Sequence, residues 1–262
     1  MKKFLIALLI IILVVGVAGY GIYYQLQNNK TNTEVKNNEG KKEGETLETN
    51  SDVVKLSMNK LSILNDSLVA SEFMGYLYMN DSYTVDSIDN EVKLLLATEQ
   101  LYSKNNKFKS NTFPITITKS EMQAEIQDIF GPDVTYTDSN ITLNCKAVGV
   151  YDASTQTYSF TEPDGCGGVF IPEIDTKIIS ATKYDDKLEI VEKMAYLDYK
   201  EDSTGNFVQN VHKNVSDKNV IGTLSENNTD VFSLYSDKLD SYKYTFKYKN
   251  GNYYFDSIKK VS

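Results

Sequence analysis

The chain begins with a long uncharged stretch, which restricts its architecture more than any other feature. Lys2 and Lys3 come first, and no charged residue occurs from Phe4 to Tyr24. A helix needs about 20 predominantly apolar residues to cross the hydrocarbon core of a bilayer. The two lysines before this stretch and the acidic chain after it place the N-terminus in the cytoplasm and the remainder outside. The sequence therefore predicts a transmembrane anchor over residues 1–24, with the membrane contacted by residues 4–24.

A secretory signal peptide is the alternative interpretation of the same stretch. Its apolar part would be Phe4–Val15, and Gly16, Ala18 and Gly19 would offer weak cleavage sites. The apolar run nevertheless continues through Tyr20–Tyr24, and tyrosines suit the interface between membrane and water. This continuation favours a retained anchor. Both interpretations export the rest of the chain.

The charged residues argue against a nucleic-acid partner. The net charge is −9, and all 27 basic residues are lysine. An acidic surface repels nucleic acid. Without arginine there is also no guanidinium group for bidentate recognition of phosphate or guanine.

Two further segments follow the apolar stretch. Residues 25–50 combine both signs of charge with Asn, Thr and Gly, and they bury too little apolar surface to offset the entropy of ordering. We expect a flexible polar stalk there. Residues 51–262 then have the length of one extracytoplasmic domain with its own core.

Helical periodicity dominates residues 51–131. Ser51 is placed to cap a first helix, and a second helix is predicted to begin near Asp86 or Ser87. In the third, Ser120 and Gln123 form a predicted capping box, and Gly131–Pro132 ends the helix.

Residues 132–262 instead alternate with a period of two, which predicts mainly antiparallel sheet. Three predicted hairpins pair 141–150 with 157–162, 177–184 with 188–199, and the strands on either side of Asn250–Gly251, with a short helix over 229–239. The predicted fold class is therefore α+β, with helices packed on a meandering antiparallel sheet.

The last hairpin is defined by Asn250–Gly251, the preferred pair for a type I′ turn. The resulting register places Phe246 opposite Phe255 and Tyr248 opposite Tyr253. This aromatic face is predicted to close the core under a helix, although such faces also stack on sugars. The opposite face carries lysines together with Ile258, and we expect it to be solvated.

Cys145 and Cys166 are the only cysteines, and an even number in an exported chain indicates a disulfide. If the turn after residue 150 is centred near residue 154, Cys145 lies opposite residues 163–165, next to Cys166. Such a bond would stabilise the hairpin by ~3 kcal/mol. Two cysteines and one histidine leave a structural zinc site short of ligands, so we expect neither metal nor cofactor.

A cysteine transpeptidase is an alternative for Cys145. Thr142–Cys145 resembles the T-L-x-T-C segment around the sortase nucleophile, but the second threonine is missing. His212 follows the cysteine instead of preceding it, and no arginine exists for the oxyanion side. His212 also lies next to Lys213 and Asn214, a setting typical of a solvated loop.

The sequence also bears on two other enzyme classes. Ser57 and Lys60 have the S-x-x-K spacing of penicillin-recognising serine enzymes, but the S-D-N and K-T-G partners do not occur. A carboxylate-pair hydrolase stays open, because its acids come from distant positions in the chain.

The whole chain resembles the uncharacterised single-pass extracytoplasmic proteins of low-GC Gram-positive bacteria. The resemblance rests on the anchor, the stalk, Ser120–Gly131, the Asp164–Gly168 turn and the closing hairpin Tyr242–Lys260. It implies a location in the cell membrane with the folded domain outside, and it implies no activity. The list of elements is also similar to that of NTF2-like and cystatin-like domains.

Because no catalytic constellation is assembled, we expect a non-enzymatic binding or interaction module at the cell envelope. Its partner would be an envelope protein or a glycan. The alternatives are an envelope hydrolase, a cysteine transpeptidase, and a small-ligand sensor with a pocket between helix and sheet.

Overall fold

A computed structural model describes residues 44–62, 75–104, 113–143, 146–161, 173–201, 205, 207–224 and 230–262. All of them fall within one unit, Glu43–Ser262. The predicted anchor and most of the predicted stalk lie outside these residues, as do Cys145 and Cys166. Across the described ranges, no helix combines the length and hydropathy of a membrane span.

The described residues contain four α-helices and twelve strands. The helices are α1 (Asp52–Asn59), α2 (Asn90–Lys104), α3 (Lys119–Phe130) and α4 (Val231–Tyr235), with 3₁₀ turns at Tyr76–Tyr78, Val85–Ser87 and Ser236–Lys238. The strands are β1 (Glu45–Leu47), β2 (Ser82–Thr84), β3 (Ile115–Thr118), β4 (Ile141–Leu143), β5 (Lys146–Asp152), β6 (Thr157–Phe160), β7 (Glu173–Lys183), β8 (Lys187–Glu201), β9 (Phe207–His212), β10 (Gly222–Leu224), β11 (Ser241–Lys249) and β12 (Asn252–Lys260). This content confirms the α+β class.

The strands form two sheets rather than the single meander predicted. The large sheet has the order β1-β7-β8-β11-β12-β2, and β9 extends from β8 and pairs with β10. The small sheet has the order β3-β6-β5-β4. Every pairing in both sheets is antiparallel.

The helices join the two sheets through one core. Helix α2 is buried from Val92 to Thr98, so apolar neighbours surround it on all sides. It reaches the small sheet through Tyr102, whose ring centroid lies 6.3 Å from that of Phe160. Helix α3 reaches the large sheet through Phe130, whose ring centroid lies 6.2 Å from that of Phe255. A separate, smaller core lies between α4 and the end of the large sheet that contains β9 and β10.

The predicted helix ends are partly confirmed. Ser51 is the N-cap residue of α1, and Gly131 ends α3 with a φ of 96°. The predicted capping box of α3 is wrong by two residues. Thr118 accepts a hydrogen bond from the Glu121 amide at 3.2 Å, and the Glu121 carboxylate accepts one from the Thr118 amide at 2.8 Å. Strand β3 ends at Thr118, which is the N-cap residue, so the helix begins at Lys119 and Ser120 lies inside it.

The second predicted helix begins later than expected. Asp86 and Ser87 belong to the 3₁₀ turn Val85–Ser87, which has its own capping box with Thr84. Helix α2 starts at Asn90. The sequence shows two possible starts close together, and the first one caps only a single turn.

Two predicted boundaries of the sheet region are also wrong. Residues 141–150 form two strands that pair with each other, with Leu143 opposite Lys146. Glu45–Leu47, which we placed in the stalk, pairs with the end of β7, so the folded region begins before residue 51. Leu47 packs against the main core, which explains this early start.

The closing hairpin confirms the predicted register near its turn. Phe246 lies opposite Phe255, and Tyr248 lies opposite Tyr253. Thr245 then pairs with Ser257, so Asp256 is an extra residue that forms a β-bulge. The bulge turns Ile258 to the core face, where it is buried, and the prediction of a solvated Ile258 is wrong.

Candidate functional site

The aromatic face of the closing hairpin divides into a buried part and an exposed end. Tyr242, Tyr244, Phe246 and Phe255 are buried, as predicted for residues that close the core. Tyr248, the next aromatic residue toward the turn, is 44% exposed. Its ring lies 4.9 Å from that of half-buried Tyr253, at an angle of 44°. We call Tyr248, Tyr253 and the neighbouring Tyr254 the hairpin-end surface.

Contacts from two helices hold the backbone of this surface. Lys60, which follows α1, donates a hydrogen bond to the Tyr253 carbonyl at 3.2 Å and lies 5.5 Å from the centre of the Tyr254 ring. The same ammonium group pairs with Asp128 of α3 at 3.3 Å. These contacts hold the strand that carries Tyr253 and Tyr254 in place. A ligand that binds there would therefore cost the protein less conformational entropy than binding to a mobile segment.

The hairpin-end surface combines tyrosine rings with charged groups at its edge. Burial raises the pKa of Tyr253, and the nearby Tyr248 and Glu45 raise it further. Its hydroxyl therefore stays protonated at neutral pH and can both donate and accept hydrogen bonds. At the edge, Lys249 pairs with Asp133 at 2.6 Å. Rings with polar edges suit ligands that offer both apolar faces and hydroxyl or amide groups.

The predicted disulfide residues, Cys145 and Cys166, lie outside the described residues. The predicted register of the hairpin is confirmed where it is described, since Gly149 lies opposite Phe160 and Asp152 lies opposite Thr157. Strand β4 ends at Leu143 and β5 begins at Lys146. The disulfide itself stays a prediction, which non-reducing peptide mapping would test.

Ser57 and Lys60 do not form a serine–lysine pair. The Ser57 hydroxyl donates to the Val53 carbonyl at 2.8 Å, within α1. Lys60 donates to the Asp128 carbonyl at 2.6 Å and to the Tyr253 carbonyl. Both side chains stabilise the packing of α1, and neither contact joins the hydroxyl to the ammonium group.

His212 is not the solvated residue that its polar neighbours indicated. It is the last residue of β9 and is only 4% exposed. Its Nδ1 lies 3.1 Å from the Asn219 carbonyl oxygen, and its Nε2 lies 3.3 Å from a carboxylate oxygen of Asp198. Alternation along β9 gave no signal of this burial, because His212 shares its face of the strand with polar Asn210 and lies opposite the face of Val211.

Glu192 is a buried acid that the sequence analysis did not single out. It is 3% exposed and lies on the core face of β8 with Ile190 and Met194. Tyr78 donates to its carboxyl at 2.9 Å, and Tyr244 donates to the Tyr78 hydroxyl at 2.8 Å. Burial raises the pKa of Glu192, while hydrogen bonds from nearby hydroxyl groups lower it in part.

The described residues offer no cluster of three or more His, Cys, Asp or Glu side chains arranged to hold a metal ion. No protein-family model, curated protein or solved structure matches the chain.

Proposed function

We propose that this chain is a non-enzymatic binding module displayed at the surface of a cell. In this proposal residues 4–24 anchor it in the membrane with the N-terminus in the cytoplasm, and the folded domain lies outside. The uncharged stretch after Lys2 and Lys3 supports the anchor. The packing of α3 on β12 supports the finer comparison with NTF2-like and cystatin-like domains, in which a helix lies on a curved sheet.

The observation that carries the binding role is the exposed ring of Tyr248, which lies beside the half-buried ring of Tyr253. The hairpin continues its aromatic row past the buried residues, so the Tyr248 ring is 44% exposed, whereas Tyr253 beside it packs partly against the core. Tyrosine is enriched at binding interfaces because it combines a large apolar face with a polar tip. An envelope glycan or an envelope protein would be the partner.

Three residues considered for catalysis have structural contacts instead. Ser57 and Lys60 each bond to backbone carbonyls. Both ring nitrogens of His212 face protein acceptors, so neither is directed at a substrate. These contacts favour binding over the hydrolase and transpeptidase alternatives.

The test is a pull-down of the full-length chain on isolated cell envelopes and on purified peptidoglycan. We expect Tyr248→Ala to weaken retention about tenfold or more, because an aromatic anchor contributes at least ~1.4 kcal/mol to many interfaces. Tyr184→Ala is the matched control, since this half-buried tyrosine lies at the β7–β8 turn with Lys187 4.7 Å from its ring centre.

Equal retention of the wild type and Tyr248→Ala would contradict the proposed site. Hydrolysis of peptidoglycan by the wild-type chain, lost on mutation of one acid, would contradict the non-enzymatic role.

A further inference from the structure

The ring of His212 lies between two groups that can only accept hydrogen bonds. Nδ1 faces the Asn219 carbonyl at 3.1 Å, and Nε2 faces the Asp198 carboxylate at 3.3 Å. A neutral imidazole has one N–H and therefore donates to only one of them. A doubly protonated ring donates to both.

Because the ring is buried, the neutral and the doubly protonated forms of His212 differ in how many of its hydrogen bonds are made. The Nε2 atom of His212 and the Oδ1 atom of Asp198 are both inaccessible to solvent, and neither has a hydrogen-bond partner among the described residues. In the neutral form with the proton on Nδ1, the Nε2 lone pair faces the Oδ2 atom of Asp198 at 3.3 Å, although the Asp198 side chain as a whole is 41% exposed. Such unmatched polar atoms cost free energy in a buried place.

The two acceptors belong to different parts of the fold. Asp198 lies in β8, whereas Asn219 lies in the connection 213–221 between β9 and β10. The start of this connection is held by Asn214, whose side chain accepts from the Asp217 amide at 2.7 Å and donates to Asp240 at 2.6 Å. Its end is held by the Ile221 amide, which donates to the Val211 carbonyl at 2.8 Å. The His212 ring ties the middle of the connection to β8.

We propose that His212 is a proton-operated clasp, which ties Asn219 to Asp198 when doubly protonated and releases one of them when it loses a proton. Release loosens the connection 213–221 while the rest of the sheet keeps its pairing. The inference does not depend on the proposed binding role.

The ionisable groups around the ring fit this assignment. From β8 the ring faces Asp198 and Tyr196, whose ring centroid lies 5.8 Å from that of His212. Burial and the nearby Asp198 raise the pKa of Tyr196, so this phenol stays neutral. From the connection, Lys213 and Asp217 pair with each other at 3.2 Å, and their charges offset. Asp198 is thus the acid that responds to the charge of the ring.

The experiment uses the full-length chain in detergent micelles and follows the ring by NMR across a pH series. His212 is the only histidine, so its ring nitrogens give unambiguous ¹⁵N signals. Amide exchange of Ile221 is measured on the same samples as a protection factor, which removes the intrinsic effect of pH on exchange. We expect both nitrogens to be protonated on the acid side. The protection factor of Ile221 should fall roughly tenfold or more as the ring loses a proton, which is the scale of one charge-assisted hydrogen bond.

Two substitutions separate the clasp from a general effect of pH. Asp198→Asn replaces the carboxylate by an amide that can donate to a neutral Nε2, so the response of Ile221 to pH should disappear while the fold is retained. Asp237→Asn removes an exposed carboxylate elsewhere in the described residues and should leave the response unchanged.

A pH response of Ile221 that persists in Asp198→Asn would overturn the proposal. So would a ring that titrates without any change at Ile221. A ring spectrum that changes on adding a chelator would mean that the pair binds a metal ion, and the clasp would then be wrong.

Discussion

Glu192 lies on the inner face of the large sheet with three hydroxyl groups around its carboxyl. Tyr78, Thr176 and Tyr244 supply these hydroxyls, and within the described ranges no ion pair involves Glu192. A buried carboxylate without a positive partner is costly, so the folded protein favours the protonated acid. Glu192 therefore makes the stability of the folded state depend on pH.

The expected consequence is a folded state that loses stability as pH rises. The unfolded chain releases this proton near pH 4.3, the ordinary pKa of glutamate, whereas the folded chain keeps it to higher pH because burial raises the pKa. The contribution of Glu192 is therefore fully present below the unfolded pKa. It is lost as pH rises through the folded pKa, by at most about 1.4 kcal/mol per pH unit.

Urea unfolding of Glu192→Gln and of the wild type between pH 4 and 8 would measure this difference. We expect a smaller pH slope in the variant. The control is Glu201→Gln, an exposed acid at the end of the same strand. Equal slopes in Glu192→Gln and the wild type would show that the folded carboxyl does not retain its proton.

At the scale of elements, β8 organises the large sheet. Its 15 residues pair with β7 along most of their length on one side. On the other side the first half pairs with β11 and the second half with β9. Glu192 therefore lies in the half under the main core, and Asp198 lies in the half that faces His212.

The start of α3 supplies a test at this scale. Thr118→Ala removes the side chain that accepts from the Glu121 amide, and we expect a loss of about 1 kcal/mol in the free energy of unfolding. Thr118→Ser should retain most of that stability, because serine caps equally well. Ser120→Ala is the matched control and should change stability by less than ~0.5 kcal/mol. Calorimetry would measure the free energy of unfolding of the three variants. A larger loss of stability in Ser120→Ala than in Thr118→Ala would contradict the observed cap.

The elements also show which features the sequence could predict. The Asn250–Gly251 turn and the pairs next to it depend on local conformation, and their register was correct. The bulge at Asp256 depends on neighbouring strands that are distant in sequence. In β8, Ile190 pairs with Tyr244, and in β2, Tyr83 pairs with Ile258. No local sequence pattern therefore predicts the bulge.

In the candidate site too, local features were predictable from the sequence and features that depend on distant contacts were not. Tyr248 and Tyr253 were placed together from the turn alone, but their exposure depends on where the helices end. His212 was misjudged because its sequence neighbours are polar, whereas its burial comes from β8.

At the scale of the whole molecule, the two sheets share one core. Helix α2 lies against the small sheet through Tyr102, and α3 lies against the large sheet through Phe130. Buried residues of both sheets belong to one continuous cluster. Because neither sheet has a main core of its own in the described residues, we expect them to unfold together.

Phe130→Ala tests this coupling. Loss of the ring should lower the free energy of unfolding by about 3–5 kcal/mol. The urea midpoints of amide NMR signals from Tyr158 in the small sheet and Tyr244 in the large sheet should shift together. Leu56→Ala, at a side chain that is 66% exposed, is the control and should shift neither midpoint appreciably. Separate midpoints for the two sheets would refute a shared core.

The short strand β1 attaches the start of the folded region to the edge of the large sheet. It enters the large sheet at the end of β7, with Glu45 opposite Lys183 and Leu47 opposite Ala181. A pull on the preceding chain along the strand axis therefore acts on its three residue pairs in shear, all at once, instead of peeling them apart in turn. Leu47, packed against the main core, passes the tension on to the helices. A pull on the chain before residue 44 is therefore resisted by these three residue pairs together with the packing of Leu47.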